Sequence, residues 1–148
     1  MRSPGPLLGL DPGTKTIGVA LSDWDWSIAS PMETIQRSSF KRDADHLQKL
    51  TDQENVAGII IGMPFNADGT VGPRAQSVRA FRRNLADILP LPMLFWDERY
   101  STAQAQELLQ LSNAETAKQN GRLDAAAAAI ILTDALKTLS TKRGDTNR

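Results

Sequence analysis

Apolar runs broken by polar turns mark out this chain. Residues 7–10 are apolar and end at Asp11-Pro12-Gly13; after Thr14-Lys15 the chain returns as a second apolar run over 17–22. Two such runs across a Pro-Gly turn predict a buried strand and its hairpin partner. Residues 32–35 predict a short third strand. Over 42–54 the period becomes helical, with Ala44, Leu47 and Leu50 on one face. The β-branched run 56–61 predicts a strand buried on both faces. A loop rich in Gly, Pro, Asn and Asp covers 62–73, and a helix over 74–89 turns Val78, Phe81, Leu85 and Ile88 inward. Residues 92–96 predict a strand running into Asp97-Glu98. Ser101 with Gln104 forms a capping box for a helix over 101–111. A polar connection over 114–122 leads to an Ala-rich helix over 123–139.

Hairpin strands followed by alternating helices and strands imply an α/β fold, a mixed sheet covered by helices. The 148 residues suffice for one domain with a real core. We assign it to 1–139, with a polar tail expected to fray over 140–148. There is no internal repeat and no linker. The first residues carry no secretory pattern, and the longest apolar block, 125–132, is too short to span a bilayer. The expectation is a soluble, cytoplasmic protein.

Composition narrows the chemistry. The 17 basic and 17 acidic residues cancel, so any nucleic-acid surface must be local. The absence of cysteine excludes disulfides, thiolate metal sites and thiol nucleophiles. A single histidine, His46, excludes a multi-histidine zinc site. It falls on the first predicted helix, away from every motif, and is expected at the surface or half-buried with no catalytic part. A metal would need oxygen ligands, which suits Mg²⁺ or Mn²⁺.

Three carboxylates are candidates to meet. Asp11 follows the first strand, Glu98 follows the last, and Asp124 opens the final helix. Sites in open α/β sheets gather at the carboxyl ends of parallel strands. Parallel first and last strands would place Asp11 and Glu98 at one edge. Asp124 continues a face formed by Ala128, Ile131 and Ala135, and small residues there let the helix approach the sheet closely. Clustered carboxylates repel one another without a cation. Two divalent ions would relieve that repulsion and supply the two-metal chemistry of phosphodiester cleavage. Each acid also has a plain structural reading: turn residue for Asp11, solvated strand end for Glu98, dipole partner for Asp124. Asp97 should face away from Glu98 on an extended strand.

Four ordered motifs resemble the bacterial YqgF/RuvX-like family of resolvase-type nucleases. They are Gly9-Leu10-Asp11-Pro12-Gly13-Thr14-Lys15 with Ile17-Gly18-Val19-Ala20 and Ser22-Asp23; Ile61-Gly62-Met63-Pro64 with Asp68-Gly69; Trp96-Asp97-Glu98-Arg99 with Ser101-Thr102; and Asp124-Ala125-Ala126-Ala127-Ala128 with Ile130-Ile131-Leu132. The resemblance spans about 8–136. It implies an RNase H-like fold with a five-stranded sheet of order 3-2-1-4-5, flanked by helices. It also implies Mg²⁺- or Mn²⁺-dependent phosphodiester hydrolysis with Asp11, Glu98 and Asp124 as catalytic metal ligands. The implied substrates are the 5′ end of the 16S ribosomal RNA precursor, which we favour, or branched DNA. Thr16 and Tyr100 depart from the family pattern, which usually has a basic and an aliphatic residue there; the first departure removes one possible phosphate ligand.

Lys15, Arg99, Lys118 and Arg122 lie beside these motifs and are candidate phosphate ligands. Arg74, Arg79, Arg82 and Arg83 are the densest basic cluster; Arg79 and Arg83 share a helix face, with a solvated surface as the plain alternative. Asn66 and Asp68 could touch substrate, though a turn explains them. Trp24 and Trp26 could stack on bases, though packing explains them. Two rival functions remain at this level. An Asp-x-Gly turn also opens actin-like and sugar-kinase ATP sites, but those need two lobes and a second phosphate loop. A non-catalytic RNA- or ribosome-binding module on the same fold is the other. The chain could act as a monomer or, on a symmetric junction, as a homodimer.

Overall fold

The computed structural model describes residues 5–66, 68–97 and 122–146, with side chains over 124–139 in the last helix. In chain order the elements are β1 (Leu7–Pro12), β2 (Thr16–Ser22), β3 (Ala29–Gln36), α1 (Phe40–Gln53), β4 (Gly58–Met63), α2 (Pro73–Ala86), β5 (Met93–Asp97) and α3 (Arg122–Thr146). The helix expected over 101–111 and the connection over 114–121 lie outside the described residues.

The strands form one sheet of order β3-β2-β1-β4-β5. β2 is antiparallel to both β1 and β3, whereas β4 is parallel to β1 and β5. This is the mixed five-stranded RNase H-like sheet expected above. β1 and β5 therefore run the same way with β4 between them, and their carboxyl ends share one edge of the sheet.

Period-two alternation splits the core into two layers. Leu8, Leu10, Ile17, Val19, Ile59 and Ile61 face α1 and α2, where they meet Leu47, Val78, Phe81 and Leu85. Leu7, Ala20 and Ile60 face α3, against Ala128, Ile131, Leu132 and Ala135. By the same alternation, Gly9, Asp11 and Gly18 belong to the α3 face. The glycines there are a fitting requirement. A Cβ on Gly9 would lie 2.9 Å from Leu132 Cβ, and one on Gly18 only 2.0 Å from the backbone oxygen of Asp124. Bare backbone opposite an alanine face brings the helix axis close to the sheet.

Several boundaries move from their sequence-based positions. β1 continues through Asp11 and Pro12, which pair with Gly18 and Ile17, so Asp11 is inside the strand rather than after it. Pairing with β4 stops at Leu10, which leaves a side where Pro12 loses no ladder bond. β3 is longer than expected because it is an edge strand that carries Pro31 and a bulge opposite Val19/Ala20, and its exposed positions hide the alternation. α1 starts at Phe40, with the Ser39 hydroxyl accepting the Arg42 N–H at 3.2 Å. α2 stops at Ala86; Leu85 O accepts the N–H groups of Ile88 and Leu89, and Pro90 discourages further helix. β4 starts at Gly58, two residues after the buried Val56. α3 runs beyond residue 139 to Thr146.

Candidate active site

β1 delivers Asp11 to the α3 face, one residue before the strand's end. Its register partner is Gly18 on β2, and the Asp124 backbone carbonyl lies directly over Gly18. Asp11 and the first turn of α3 thus occupy the same small patch of sheet. Asp124 is half-buried there, and the Thr16 hydroxyl donates a 2.7 Å hydrogen bond to its Oδ2. Thr16 sits two residues before Gly18, on the same face of β2, so strand alternation aims it at the helix start. A carboxylate in the first helical turn is also favoured by the helix dipole.

The hairpin that carries Asp11 is braced from the opposite side of the sheet. The Gly13 N–H donates to Thr16 O at 2.8 Å and closes the turn. Arg37 Nη1 donates to Gly13 O at 2.6 Å, and the Arg37 N–H donates to Lys15 O at 2.9 Å. The Arg37 guanidinium lies 5.3 Å from the centre of the Phe81 ring and 3.8 Å from the buried carboxylate of Asp43. One arginine therefore ties the hairpin tip to both α1 and α2.

β4 and β5 complete the floor. Leu10 is level with Ile61 on β4, and Ile61 with Phe95 on β5. Beyond the last β1–β4 pair, Gly62 pairs with Trp96, so the β4 residue that follows Ile61 on the Asp11 side carries no side chain. Two strand spacings, about 9–10 Å, separate β1 from β5. Trp96 packs on the α3 layer, and Phe95 on the other. Asp97 by alternation belongs to the layer away from Asp124; its relation to Glu98 lies outside the described residues. Glu98, Arg99 and Lys118 lie outside the described residues, as does the Arg122 side chain. Among the described residues no group of three acids or histidines is gathered for a metal. The two acids that are described share one face and offer only oxygen donors, a chemistry that fits a hard divalent ion.

The other candidates divide. Lys15 is exposed at the hairpin tip. Arg74 is exposed beside the same hairpin, where it lines a cavity of about 440 Å³ with Pro12, Gly13, Thr14 and Arg37. Arg79 and Arg83 are exposed on α2, which packs on the opposite face of the sheet from Asp124. Arg82 is no solvated residue: it is half-buried, donates to Met93 O at 2.9 Å and lies over the Phe95 ring. Asn66 and Asp68 build a turn around Thr70, which receives 2.9 Å from Asn66 Nδ2 and donates 2.6 Å to Asp68 Oδ1. Trp26 packs on the α3 layer and donates from Nε1 to Gly5 O at 2.7 Å, while Trp24 is 54% exposed. His46 pairs with Glu33 at 2.6 Å on an exposed part of α1. Thr16 is the residue whose contact with the site sequence reasoning missed. Its spacing of two from Gly18 was visible, but its partner lies 108 residues away.

Comparison with known proteins accords with this geometry. Residues 5–138 match the family model described as RuvX: Holliday junction resolvase. A relative from Chelativorans sp. (strain BNC1), named "Putative pre-16S rRNA nuclease", is 51% identical over 95% of this chain and 88% of its own length. A relative of the same name from Sphingopyxis alaskensis is 50% identical over 92% of this chain and 89% of its own. Among solved structures, Thermus thermophilus RuvC in complex with Holliday junction substrate superposes with a TM-score of 0.57 at 15% identity, covering 92% of this chain and 96% of that one. The fowlpox virus resolvase bound to Holliday junction DNA gives 0.58 at 10% identity, covering 90% and 98%. These two likenesses concern the fold. With its model matched from end to end of the described core and half its positions shared with such relatives, the chain belongs to the RuvX family.

Proposed function

We propose that this protein is a metal-dependent nuclease that hydrolyses phosphodiester bonds, and that its substrate is the 5′ end of the 16S ribosomal RNA precursor. The observation that carries the reading is that Asp11 pairs with Gly18 near the carboxyl end of β1, and that the Asp124 backbone lies over that same Gly18 on the same face of the sheet. The names carried by the half-identical relatives favour the RNA substrate over junction DNA. The nuclease reading also favours a cytoplasmic protein; no helix among the described residues is long and apolar enough to cross a membrane.

Asp11, Asp124 and Glu98 would hold one or two Mg²⁺ or Mn²⁺ ions. Glu98 follows Trp96 by two, the spacing at which a strand returns to one face. A metal held there would supply water activation and charge stabilisation for phosphodiester hydrolysis. The chain's own part is positional. β1 presents Asp11 from a strand that pairs with β2 through Pro12 and with β4 as far as Leu10, and the lack of a side chain at Gly62 would leave room beside it for a backbone phosphate. Lys15 at the hairpin tip, with Arg99, Lys118 and Arg122, would orient that phosphate, and Arg74, Arg79 and Arg83 would hold flanking ones. The products would carry 5′-phosphate and 3′-hydroxyl ends.

The test compares a 16S precursor fragment with a four-way DNA junction, each with Mg²⁺, Mn²⁺ or a chelator. The expected result is cleavage of the RNA at its 5′ leader, abolished by chelator and by Asp11→Asn, whose melting curve stays that of the wild type. Full activity of Asp11→Asn would remove Asp11 from the site. Preferential cutting of the junction by a dimer would select the recombination reading instead.

A further inference from the structure

We propose that Thr16 is a positioning residue for Asp124, and that its hydroxyl holds the carboxylate in the orientation needed to take up a divalent cation. This rests on the nuclease reading above only for its effect on turnover; the effect on cation binding stands apart from it. Three observations meet at this point. The Thr16 hydroxyl donates its one proton to Asp124 Oδ2 at 2.7 Å across 108 residues of chain, so it sets the rotation of that carboxylate. The Asp124 backbone oxygen lies 2.0 Å from where a Cβ of residue 18 would be, so the helix start is packed directly on the β2 backbone. And Thr16 and Gly18 belong to the strand whose other edge pairs with Asp11. The hydrogen bond thus links the two acids through a single rigid hairpin. A basic side chain at position 16 would bring a charge to this carboxylate; threonine brings a neutral donor and leaves the full negative charge for a cation. What reads in the sequence as a missing phosphate ligand at position 16 is the presence of a different device.

Outer partners of metal-binding groups typically change affinity or activity by about 10–100-fold when removed. Thr16→Val keeps the volume and the β-branch while deleting the donor, and Thr16→Ser keeps the donor. Mn²⁺ binding is measured by isothermal titration on the full chain, with kcat and KM on the RNA fragment and melting temperature alongside. Expected for Thr16→Val are Mn²⁺ binding and kcat each weakened by about 10-fold, with KM unchanged. Thr16→Ser should return both to within about 2-fold of wild type. In the Asp124→Asn background, Thr16→Val should add nothing, because the group it positions is gone. A Thr16→Val protein that melts lower yet binds Mn²⁺ and turns over like the wild type would make the bond a mere helix fastening and overturn the proposal. A rise in KM at constant kcat would overturn it in favour of direct substrate binding by Thr16. Absence of cleavage by the wild type would defeat the nuclease reading, and the Mn²⁺ titration would still decide the role of Thr16. No Mn²⁺ binding by the wild type would end both.

Discussion

Gly18 is where one missing carbon decides the position of an acid. The backbone oxygen of Asp124 occupies the space a side chain would take, with only 2.0 Å to a Cβ built there. The obstructing atom is backbone, so relief must come from moving the helix or bending β2. Gly18→Ala should therefore destabilise the protein by about 1–3 kcal/mol, the usual cost of overpacking. It should also depress cleavage more than stability alone explains. Urea denaturation with activity measured at a temperature where both proteins are folded separates the two effects; an alanine variant of wild-type stability and activity would show that the packing there yields freely. Gly9→Ala should be milder, because its nearest neighbours, Leu132 Cβ at 2.9 Å and the Ala128 backbone oxygen at 3.1 Å, leave it more room.

At the scale of elements, the turn between β2 and β3 is organised by one carboxylate. Asp23 accepts from the Ser27 hydroxyl, from the Ser27 N–H at 2.7 Å and from the Ile28 N–H at 3.1 Å. The Ser27 hydroxyl is the largest influence holding this carboxyl below the usual aspartate range; slight burial opposes it, and the Ile28 and Ser27 N–H groups add to it. A carboxyl whose folded-state value is depressed stabilises the fold above its unfolded value, near pH 4, and that stability is lost as pH falls through the folded value. Asp23→Asn should accordingly lower the melting temperature at pH 7, and the gap from wild type should close on the acid side of pH 4. A gap that persists unchanged at pH 2 would show that hydrogen-bond geometry, and not charge, is what Asp23 contributes. The elements themselves were largely legible. Ala44, Leu47 and Leu50 on α1, and Val78, Phe81 and Leu85 on α2, are buried as their spacing predicts. The misplaced boundaries fall where the local pattern carries no information: Pro12 reads as a turn residue, but its strand position depends on which neighbour pairs with it. β3 presents one side to solvent and reads as half a strand.

For the whole molecule, zero net charge means that affinity for a polyanion must come from particular arginines. Arg79 and Arg83 are exposed on α2, one helical turn apart, whereas Arg82 between them is spent on Met93 O and Phe95. If the nucleic acid crosses this surface, the double variant Arg79→Ala/Arg83→Ala should reduce the slope of log K against log salt by about 2, one for each phosphate no longer neutralised. Cleavage at saturating substrate should persist. Filter binding over a salt series measures the slope, and an unchanged slope would return α2 to an ordinary solvated face. Arg82→Ala should act differently, lowering stability by removing packing and a hydrogen bond to β5, with little effect on salt dependence.

The sequence by itself determined the layers of this protein. Periodicities of two and near four are local, they are dictated by burial, and they placed five strands and three described helices in order. It also supplied the acids, because a single carboxylate in a strand apolar on every other count has few uses. Four motifs in order carried the family and, through it, the sheet order. The tertiary structure alone decided how the acids are held. That Gly9 and Gly18 are the seat of α3 and that Thr16 grips Asp124 are facts about surfaces meeting across more than a hundred residues of chain, and that Asp11 lies within β1 follows from its pairing with Gly18. Steric fit and hydrogen bonding act over a few ångströms, and only the folded chain brings those residues within that range.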